Sequence, residues 1–569
     1  MQRWGPEWLE DGRACFRLWA PDRTAVTLEL AGGERVPMEP AGDGWFEAVA
    51  VASAGARYRF SLEPGLAVAD PASRVQSGGV HGWSVLVDPK RYSWRCTEWR
   101  GRPWEEAVIQ EIHAGVAGGF TGVSEMLPGL ADLGVTAIEL MPVAAFSGTR
   151  NWGYDGVLPY AVAESYGSPD ALKALIDRAH ELGLMVLLDV VYNHFGPDGN
   201  YLGAYASRFF DSRTETPWGG AVAVSEPAVR RFFIDNARMW LEEYRFDGLR
   251  FDAVHAIGDT GFLDEMAAEL RAAVPERHIH LVLENEHNDS DRLKPGGYDA
   301  QWNDDFHNVL HVLLTGESEG YYAGFADEPT AKLARCLGEG FIYQGETPPG
   351  SDQARGKPSS ALPTTAFVAF LQNHDQIGNR ALGERLTLLA DAGKLRAATA
   401  LLLLCPQIPL LFMGDESGSR SPFLFFTDFH DALADAVREG RRREFAKFAA
   451  FAGAEARARI PDPNDEDTFL QSAPRPGPDA GEWQALYREL LALRRQAIVP
   501  RLKGAHGLGA EVLGTGAVAA RWRMADGAEL ALAVNLGEAD ARFPRLPSEP
   551  LFALGEPGAP RSFAAWLTP

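Results

Sequence analysis

The feature that most constrains the fold is the alternation of short apolar runs with segments of helical period between residue 104 and about residue 450. This alternation is typical of repeated βα units and a parallel sheet. Eight strands of this kind, with their helices, close into a barrel of about 250 residues or more. We therefore predict an α/β fold with a (β/α)8 TIM barrel, and keep an open, doubly wound sheet as the alternative. The strand candidates are AVIQEI (107–112), GVTAIELMPV (134–143), MVLLDVV (185–191), DGLRFDAV (247–254), HIHLVLE (278–284), a weaker run at 299–303, TAFVAFLQ (365–372) and IPLLFMG (408–414).

Shorter alternating runs flank this region on both sides. Residues 1 to about 90 contain FRLWAP, TAVTLEL and GWFEAVAV, without a segment of helical period, and predict a β-sandwich. After a predicted helix in GEWQALYRELLALRRQ, runs such as AVAARWRM predict a small C-terminal β-domain. The 569 residues thus divide into an N-terminal β-sandwich (1–95), a catalytic barrel with loop insertions (96–490) and a C-terminal β-domain (491–569).

Two local signals refine the barrel. In SPDALKALIDRAHELGL, Ser168 can cap a helix and Pro169 suits its first position. The segment 345–360, GETPPGSDQARGKPSS, is rich in Gly, Pro and Ser, and predicts an exposed loop inside the barrel domain.

The charge balance narrows the class of ligand. The chain has 54 Lys and Arg against 78 Asp and Glu, a formal charge of −24, which repels phosphate backbones and anionic lipid. We therefore expect no nucleic-acid and no membrane partner, whereas a neutral ligand such as a sugar is compatible.

The chain shows no sign of export or of disulfide bonding. No basic segment followed by an apolar one marks a secretory signal, and the most apolar stretch, 401–412, is too short to span a bilayer, so we expect a cytoplasmic location. The four cysteines form no CxxC pair, which argues against a disulfide framework and a zinc site; they are Cys15, Cys96, Cys336 and Cys405.

Four carboxylates stand at or just beyond the C-terminal ends of strand candidates. A single Asp after a buried strand is more often a cap than a catalyst, but that face of a βα barrel holds the active site, so four on separate strands favour catalysis. They are Asp189, Asp252, Glu284 and Asp375.

Strand parity assigns roles to two of them. Arg250 and Asp252 point to one face, so the guanidinium would keep Asp252 ionised, as a nucleophile requires; a structural ion pair is the alternative. Glu284 follows the apolar run HIHLVL and is the better candidate for a protonated general acid, with Glu286 as its competitor.

A nucleophilic carboxylate and an acid/base carboxyl are the apparatus of retaining glycoside hydrolysis, in which the two groups lie about 5 to 5.5 Å apart. Asp375 would be a third carboxylate that grips sugar hydroxyls. His194, His255 and His374 lie beside these carboxylates and could donate hydrogen bonds to sugar hydroxyls.

Metal binding and aromatic contacts complete the candidate site. No HExxH cluster and no acidic loop with calcium spacing is present, so we predict no metal and no other cofactor. Sugar rings present apolar faces, and Tyr154 in NWGYDG and Trp218 in TPWGG are the loop aromatics expected to contact them.

These motifs resemble the α-amylase superfamily, glycoside hydrolase family 13. Its four short regions match DVVYNH (189–194), GLRFDAVH (248–255), the strand ending at Glu284, and QNHD (372–375). The resemblance implies that Asp252 is the nucleophile, Glu284 the general acid/base and Asp375 the stabiliser of the transition state. It also implies that Arg250, His194 and His374 contact the sugar at the cleavage position and that Tyr154 stacks on it.

Further segments resemble the superfamily members that release trehalose from malto-oligosyltrehalose; they are DPASRVQSGGVHGWS (70–84), WNDDFHNVLHVLLTGESEGYY (302–322) and QNHDQIGNRALGERL (372–386). The likeness includes an N-terminal sandwich similar to the carbohydrate-binding-module-like ones of branching and debranching enzymes. One departure is that Glu284 is followed by Asn285 and Glu286, where two Asp residues are common.

This second resemblance implies hydrolysis of the α-1,4 bond next to a terminal trehalose unit, with retention, on malto-oligosyltrehalose and maltodextrin substrates. The candidate wall residues on the trehalose side are Trp218, His255, Asp304 and Asp305. The alternatives are a glycogen branching enzyme, a general α-amylase-type hydrolase and a non-catalytic sugar-binding protein, the last of which would lack one of the catalytic carboxylates.

Overall fold

The computed structural model describes residues 4–10, 12–63, 65–216, 219–258, 260–544 and 549–569. In the N-terminal region two antiparallel sheets have the strand orders β1-β2-β6-β5 and β4-β3-β7-β10-β9, with β8 paired to β7. Phe16 of β2 and Tyr58 of β7 join the two sheets, with ring centroids 4.8 Å apart. The strands are β1 (Glu7–Trp8), β2 (Ala14–Trp19), β3 (Thr27–Leu30), β4 (Arg35–Pro37), β5 (Glu39–Gly42), β6 (Trp45–Ala50), β7 (Arg57–Glu63), β8 (Leu66–Val68), β9 (Gln76–Ser77) and β10 (Trp83–Val85).

A closed barrel of parallel strands follows, in the order β11-β12-β15-β18-β19-β20-β21-β22. All eight predicted strands are present, so the prediction of a (β/α)8 barrel is confirmed and the open sheet is wrong. The strands of this region are β11 (Ile109–Ile112), β12 (Ala137–Leu140), β13 (Ala144–Ala145), β14 (Leu158–Val162), β15 (Met185–Val190), β16 (Phe210–Thr216), β17 (Gly219–Val222), β18 (Gly248–Phe251), β19 (His280–Leu283), β20 (Ala300–Trp302), β21 (Phe367–Ala369) and β22 (Ile408–Phe412).

Helices surround the barrel and cover the strands, which are buried on both faces as parallel strands require. Helix α2 starts at Pro169, and the Ala171 N–H donates to Ser168 Oγ at 3.1 Å, as its sequence predicts. The helices are α1 (Gly119–Leu133), α2 (Pro169–Glu181), α3 (Pro227–Glu242), α4 (Thr260–Ala273), α5 (Asp304–Thr315), α6 (Pro329–Glu339), α7 (His374–Gly378), α8 (Leu386–Leu389), α9 (Ala392–Leu404), α10 (Asp431–Phe445), α11 (Ala454–Ala458), α12 (Glu466–Gln471) and α13 (Ala480–Leu493).

The C-terminal region is an antiparallel sheet with the order β23-β24-β25-β27-β26. It packs on the barrel helices, and the indole N–H of Trp522 donates to the Leu337 carbonyl at the end of α6 at 3.1 Å. The predicted C-terminal β-domain is therefore confirmed, while the three domain limits stay a prediction. The strands are β23 (His506–Gly514), β24 (Ala517–Arg523), β25 (Glu529–Asn535), β26 (Phe552–Leu554) and β27 (Ser562–Thr568).

Two further findings concern the chain as a whole. The four cysteines are free thiols, and Cys15, Cys336 and Cys405 are buried. Within the described ranges, no helix is both long enough and apolar enough to cross a membrane.

A buried carboxylate at the start of β18 joins three parts of the barrel. Asp247 accepts hydrogen bonds from the Trp99 indole N–H at 2.7 Å and the Val186 N–H at 2.9 Å, and His180 Nε2 lies 2.9 Å away. Burial alone would raise the pKa of Asp247, but His180 and these donors outweigh it and hold the pKa below its ordinary value. The carboxylate is therefore stabilised in its ionised form at the end of the barrel opposite the C-terminal strand ends.

We expect Asp247→Ala to destabilise the barrel by about 3–5 kcal/mol, because His180 and two buried N–H donors lose their partner. Urea unfolding of the variant and the native chain would measure this. Since the folded pKa is depressed, the stabilisation should be present at neutral pH and should decline as the pH falls through that value. The control, Asp352→Ala in an exposed loop, should change stability by no more than about 0.5 kcal/mol; equal effects of the two variants would contradict the assignment.

Candidate active site

A single guanidinium lies at the centre of the polar cluster at the C-terminal end of the barrel. Arg250 of β18 is fully buried, and its guanidinium carbon lies 4.1 Å from the ring centroid of Trp302 on β20. Strand register places Arg250 directly beside Asp189 of the neighbouring strand β15. Because the parity of β18 turns Arg250 and Asp252 to the same side, the predicted pairing follows from the strand itself.

Three carboxylates surround this guanidinium. Its NH1 nitrogen donates to both oxygens of Asp189, at 2.9 and 2.8 Å, and to Asp252 Oδ1 at 2.8 Å. Its NH2 nitrogen lies 2.9 Å from Glu284 Oε2. The structure therefore brings together three of the four carboxylates that the sequence singles out, from three neighbouring strands.

A strained turn links Asp252 to Glu284. Ala253 has φ 39°, a left-handed conformation that is uncommon for residues other than glycine. This conformation points the Ala253 N–H toward Glu284 Oε2, to which it donates at 2.7 Å. Local strain of this kind concentrates at functional sites, where the surrounding structure holds it in place.

The competitor of Glu284 lies outside the cluster. The Glu286 side chain is 71% exposed, and its Oε2 lies 3.7 Å from His255 Nε2 at the rim. His255 also lies near His287, with ring centroids 5.3 Å apart. Of the two glutamates, only Glu284 contacts Arg250 among the described contacts, which favours Glu284 as the acid.

The fourth carboxylate is held beside a charged histidine. Asp375 lies in the first turn of α7, where its N–H donates to Asn373 Oδ1 at 2.9 Å. His374 Nε2 lies 3.5 Å from Asp375 Oδ1, and His374 Nδ1 lies 2.5 Å from Glu111 Oε1 on β11. Burial alone would lower the pKa of His374, but Asp375 and Glu111 raise it to about 10.

Tyr154 connects the two halves of the cluster. Its ring stacks on the imidazole of His374, with centroids 5.1 Å apart and planes 22° from parallel, and its hydroxyl donates to Asp189 Oδ2 at 2.6 Å. His194 Nε2 lies 2.9 Å from the Tyr154 carbonyl oxygen. Tyr154, Asp189 and His194, predicted to bind substrate, thus lie in one network with Arg250.

Burial sets the protonation of the carboxylates. It raises the pKa of Asp189 to about 6 against the lowering effect of Arg250, and raises that of Asp252 to about 6 in the same way, with Asp189 adding to the increase. Burial also raises the pKa of Glu284, opposed by Arg250 and supported by Asp252. One guanidinium does not balance three adjacent negative charges, so the cluster loses its protons at a higher pH than separate carboxyl groups would.

The candidate wall residues lie in different places. Asp304 begins α5 near the carboxylate cluster, and burial, followed by the charge of Glu284, raises its pKa to about 8. Asp305 is fully buried and bonded to protein groups, so it supports the wall rather than lining it. His255 lies at the rim beside Glu286, and Trp218 lies outside the described residues.

Sequence reasoning missed two buried glutamates beneath this cluster. Glu111 and Glu139 occupy matching positions on β11 and β12. Glu111 holds His374, whereas neither oxygen of Glu139 has a hydrogen-bond partner within the described chain, and burial raises its pKa well above the ordinary value. The sequence signal that could have found them is a carboxylate inside each apolar run, in AVIQEI and TAIEL.

No group of three or more metal-binding side chains with suitable geometry occurs in the described part of the chain.

Comparison with known families gives two matches. The model of the alpha amylase catalytic domain matches residues 87–215. A domain of unknown function, DUF3459, matches residues 505–566, the region of the C-terminal sheet.

Similar proteins cover most of the chain. The malto-oligosyltrehalose trehalohydrolase of Deinococcus radiodurans is 44% identical over 497 residues, which cover 84% of this chain and 81% of that protein. That of Rhizobium sp. (strain M-11) is 41% identical over 515 residues, 85% of each chain. The crystal structure of a putative alpha amylase from Salmonella typhimurium covers both chains fully, with a TM-score of 0.95 and 45% identity. A pullulanase from an Anoxybacillus species, solved with maltotetraose, has a TM-score of 0.71 at 17% identity over 99% of this chain and 87% of its own, and shows likeness of fold alone.

The raised pKa of His374 can be tested directly. We expect His374 to stay protonated from pH 6 to about pH 9, because Asp375 and Glu111 raise its pKa to about 10. Glu111→Gln removes one of the two charges and should lower the pKa of His374 into that range, as measured by imidazole nitrogen NMR. Glu416→Gln is the control, because Glu416 accepts from Gln110 instead. A histidine signal that titrates alike in both variants would contradict the pairing.

Proposed function

The chain belongs to the malto-oligosyltrehalose trehalohydrolases of the α-amylase superfamily, and from this membership and the geometry of the site we infer that it hydrolyses malto-oligosyltrehalose. The bond cleaved is the α-1,4-glucosidic bond next to the terminal trehalose unit, and the products are trehalose and a malto-oligosaccharide. The observation that carries this inference is 44% identity with a protein of that name over 84% of the chain. The cluster of Asp189, Asp252 and Glu284 around Arg250 supports the same chemistry.

Asp252 is suited to form the covalent intermediate. The Arg250 guanidinium donates to its Oδ1 and favours the ionised form, while no hydrogen bond to Oδ2 is found among the described residues. In the first step a carboxylate oxygen of Asp252 attacks the anomeric carbon on the malto-oligosaccharide side, and the bond from that carbon to the glycosidic oxygen breaks. The malto-oligosaccharide then remains on the enzyme as an ester.

Glu284 is suited to handle the proton. Asp189 and Asp252 both accept hydrogen bonds from Arg250 NH1, whereas NH2 lies 2.9 Å from Glu284 without a hydrogen bond among the described residues, so we place a proton on Glu284. Glu284 donates this proton to the glycosidic oxygen, which leaves as a hydroxyl of trehalose. In the second step the Glu284 carboxylate removes a proton from water while the water oxygen attacks the anomeric carbon, which frees Asp252 and restores the proton on Glu284. Two displacements at the same carbon give retention.

The remaining residues would bind and stabilise the reacting sugar. We propose that Asp375, beside the charged His374, binds the hydroxyls of the distorted sugar ring. Tyr154 would stack on the apolar face of the same ring. Arg250, Asp189 and His194 are assigned to the same position because they belong to one hydrogen-bond network. Trp218 and His255 remain proposals for the trehalose side.

The wider proposals follow from the same chemistry. The substrates are neutral glucans, the enzyme works in trehalose formation without nucleic-acid or membrane partners, and we propose a cytoplasmic location. A glycogen branching enzyme is the second candidate, because such an enzyme from Pseudoalteromonas atlantica is 30% identical over 42% of this chain and 37% of its own length. A general α-amylase-type hydrolase would use the same carboxylates.

Product analysis tests the function directly. We expect fast release of trehalose from maltotriosyl-trehalose and slow attack on maltopentaose, because the site should favour a 1,1-linked glucose pair as the leaving group. Chromatography of the two reactions run separately would measure this. Equal cleavage of both substrates would indicate a general amylase, and longer branched products with no trehalose would indicate a transferase.

Variants of the carboxylates test the mechanism. Asp252→Asn should lower kcat by several orders of magnitude on every substrate, roughly 10⁴-fold or more, because it removes the nucleophile while conserving shape. Glu284→Gln should lose activity on maltotriosyl-trehalose but retain much of the first step on α-maltosyl fluoride, since fluoride leaves without a proton.

The control for both is Glu286→Gln, whose side chain is 71% exposed. It should change kcat less than about threefold, because removing one exposed carboxylate perturbs the site weakly. If Glu286→Gln rather than Glu284→Gln showed the dependence on the leaving group, the acid assignment would be wrong.

A further inference from the structure

We propose that Arg355 is a positioning residue that holds the loop following Glu284, so that the proton of Glu284 reaches the departing sugar. The proposal rests on the proposed function and concerns the same site. The sequence predicts an exposed loop at 345–360, and the structure shows that part of this segment turns inward. Its contacts reach the loop that follows β19 and the start of α5.

The segment is folded back on itself so that Arg355 faces the barrel. The Gly345 N–H donates to the Arg355 carbonyl at 2.8 Å, and the Arg355 N–H donates to the Glu346 carbonyl at 2.9 Å. Gly356 follows with φ 89°, and a Cβ atom there would lie 1.9 Å from the Tyr343 carbonyl oxygen. Only glycine fits this turn, so the direction of the Arg355 side chain is fixed by the backbone around it.

Two nitrogens of the guanidinium have separate partners. Arg355 Nε donates to the Glu286 carbonyl oxygen at 2.8 Å, and NH2 lies 3.0 Å from Asp305 Oδ1. The Arg355 side chain is 18% exposed and the Asp305 carboxylate is fully buried, so water weakens this ion pair far less than a surface pair. A planar fork can serve both partners at once, which an ammonium group does less well.

Asp305 extends the same connection with its second oxygen. Asp305 Oδ2 accepts from Asn288 Nδ2 at 2.9 Å and from the Ile342 N–H at 2.8 Å. We call Arg355 and Asp305 together the Arg355–Asp305 clasp. It holds the loop 284–288 at two points, the Glu286 carbonyl and the Asn288 side chain, both within four residues of the acid.

The position of Glu284 makes this support important. Strand β19 ends at Leu283, so Glu284 lies one residue beyond the ladder, and the residues after it belong to no helix or strand. Its Oε2 accepts from the Ala253 N–H, its own N–H donates to the Phe251 carbonyl, and its carbonyl accepts from the Val254 N–H, the last two at 3.0 Å. The clasp supports the chain that follows these contacts, at Glu286 and Asn288. A displacement of about 1 Å in a reacting group can lower the rate roughly 100-fold.

The chain offers a matched control in the same segment. The Lys357 N–H donates to the Asn288 carbonyl at 3.1 Å, and Lys357 Nζ lies 2.8 Å from Asp289 and 2.5 Å from Asp291. These ion pairs connect the same two loops, but the Lys357 side chain is 45% exposed. Removing them should have little effect, because exposed ion pairs contribute little to stability.

The test compares two leaving groups. We would measure kcat and KM for maltotriosyl-trehalose and for α-maltosyl fluoride in the native chain, Arg355→Met, Arg355→Lys and Lys357→Met. Arg355→Met should lower kcat on the oligosaccharide about 10- to 100-fold. The first step on the fluoride, measured as the initial burst of fluoride release, should change much less, because fluoride leaves without a proton. Arg355→Lys should show the same split to a smaller degree, and Lys357→Met should remain within about twofold on both.

A double-mutant cycle tests whether Arg355 affects the rate through Glu284. In a Glu284→Gln background Arg355→Met should cause no further loss, because the group through which it acts has been removed. Equal losses on both substrates, additive losses in the cycle, or no loss in Arg355→Met would each overturn the proposal; thermal unfolding of each variant identifies a general structural loss.

A failure of the proposed function would look different. The native chain would then release no trehalose but would still cleave maltopentaose. The same double-mutant cycle, run on maltopentaose, would test the role of Arg355 whether or not the substrate assignment holds.

Discussion

The buried Arg250 guanidinium is the interaction on which the site depends. Asp189, Asp252 and Glu284 come from three neighbouring strands, and none of them could stay ionised in this interior without a cation close by. Because one cation faces three acids, the pKa of each carboxyl is raised, which favours a protonated carboxyl beside an ionised one. The acid and the nucleophile proposed for this site therefore depend on the same guanidinium, which donates through NH1 to Asp189 and Asp252 and lies 2.9 Å from Glu284 through NH2.

The barrel supplies the geometry that this arrangement needs. Adjacent parallel strands place Asp189 and Arg250 in register, and the period of two places Asp252 on the same side. The left-handed Ala253 then turns its N–H to Glu284, which joins the ends of β18 and β19. Asp247 at the opposite end of β18 is also buried and ionised, but there the donors are sufficient and its pKa falls. Strand β18 thus has at one end a carboxylate with enough hydrogen-bond donors, and at the other end three carboxylates that share one cation.

The sequence predicts those parts of this structure that depend on periodicity. The eight barrel strands, the cap of α2 by Ser168 and the side-by-side placement of Arg250 and Asp252 all follow from local pattern. Contacts between distant segments have no such pattern, which is why Glu111 beneath His374 and Arg355 behind Glu286 were missed. The segment 345–360 illustrates the limit: its Gly, Pro and Ser content predicts a loop correctly, but which of its side chains turns inward is decided by partners in the loop after β19 and on α5.

The charges beneath the site favour a reaction that develops positive charge. Glu111, Asp375 and the Arg250 cluster supply more negative charge than Arg250 and the protonated His374 can balance. A neutral sugar interacts weakly with this excess negative charge. An oxocarbenium-like transition state carries positive charge at the ring, so the excess negative charge stabilises it. Burial raises the pKa of Glu139 well above its ordinary value, which favours the neutral form of this carboxyl. Asp252 and Asp375, the two carboxylates assigned to the reacting sugar, belong to this excess of negative charge, so the site should stabilise the transition state more than it stabilises the neutral sugar.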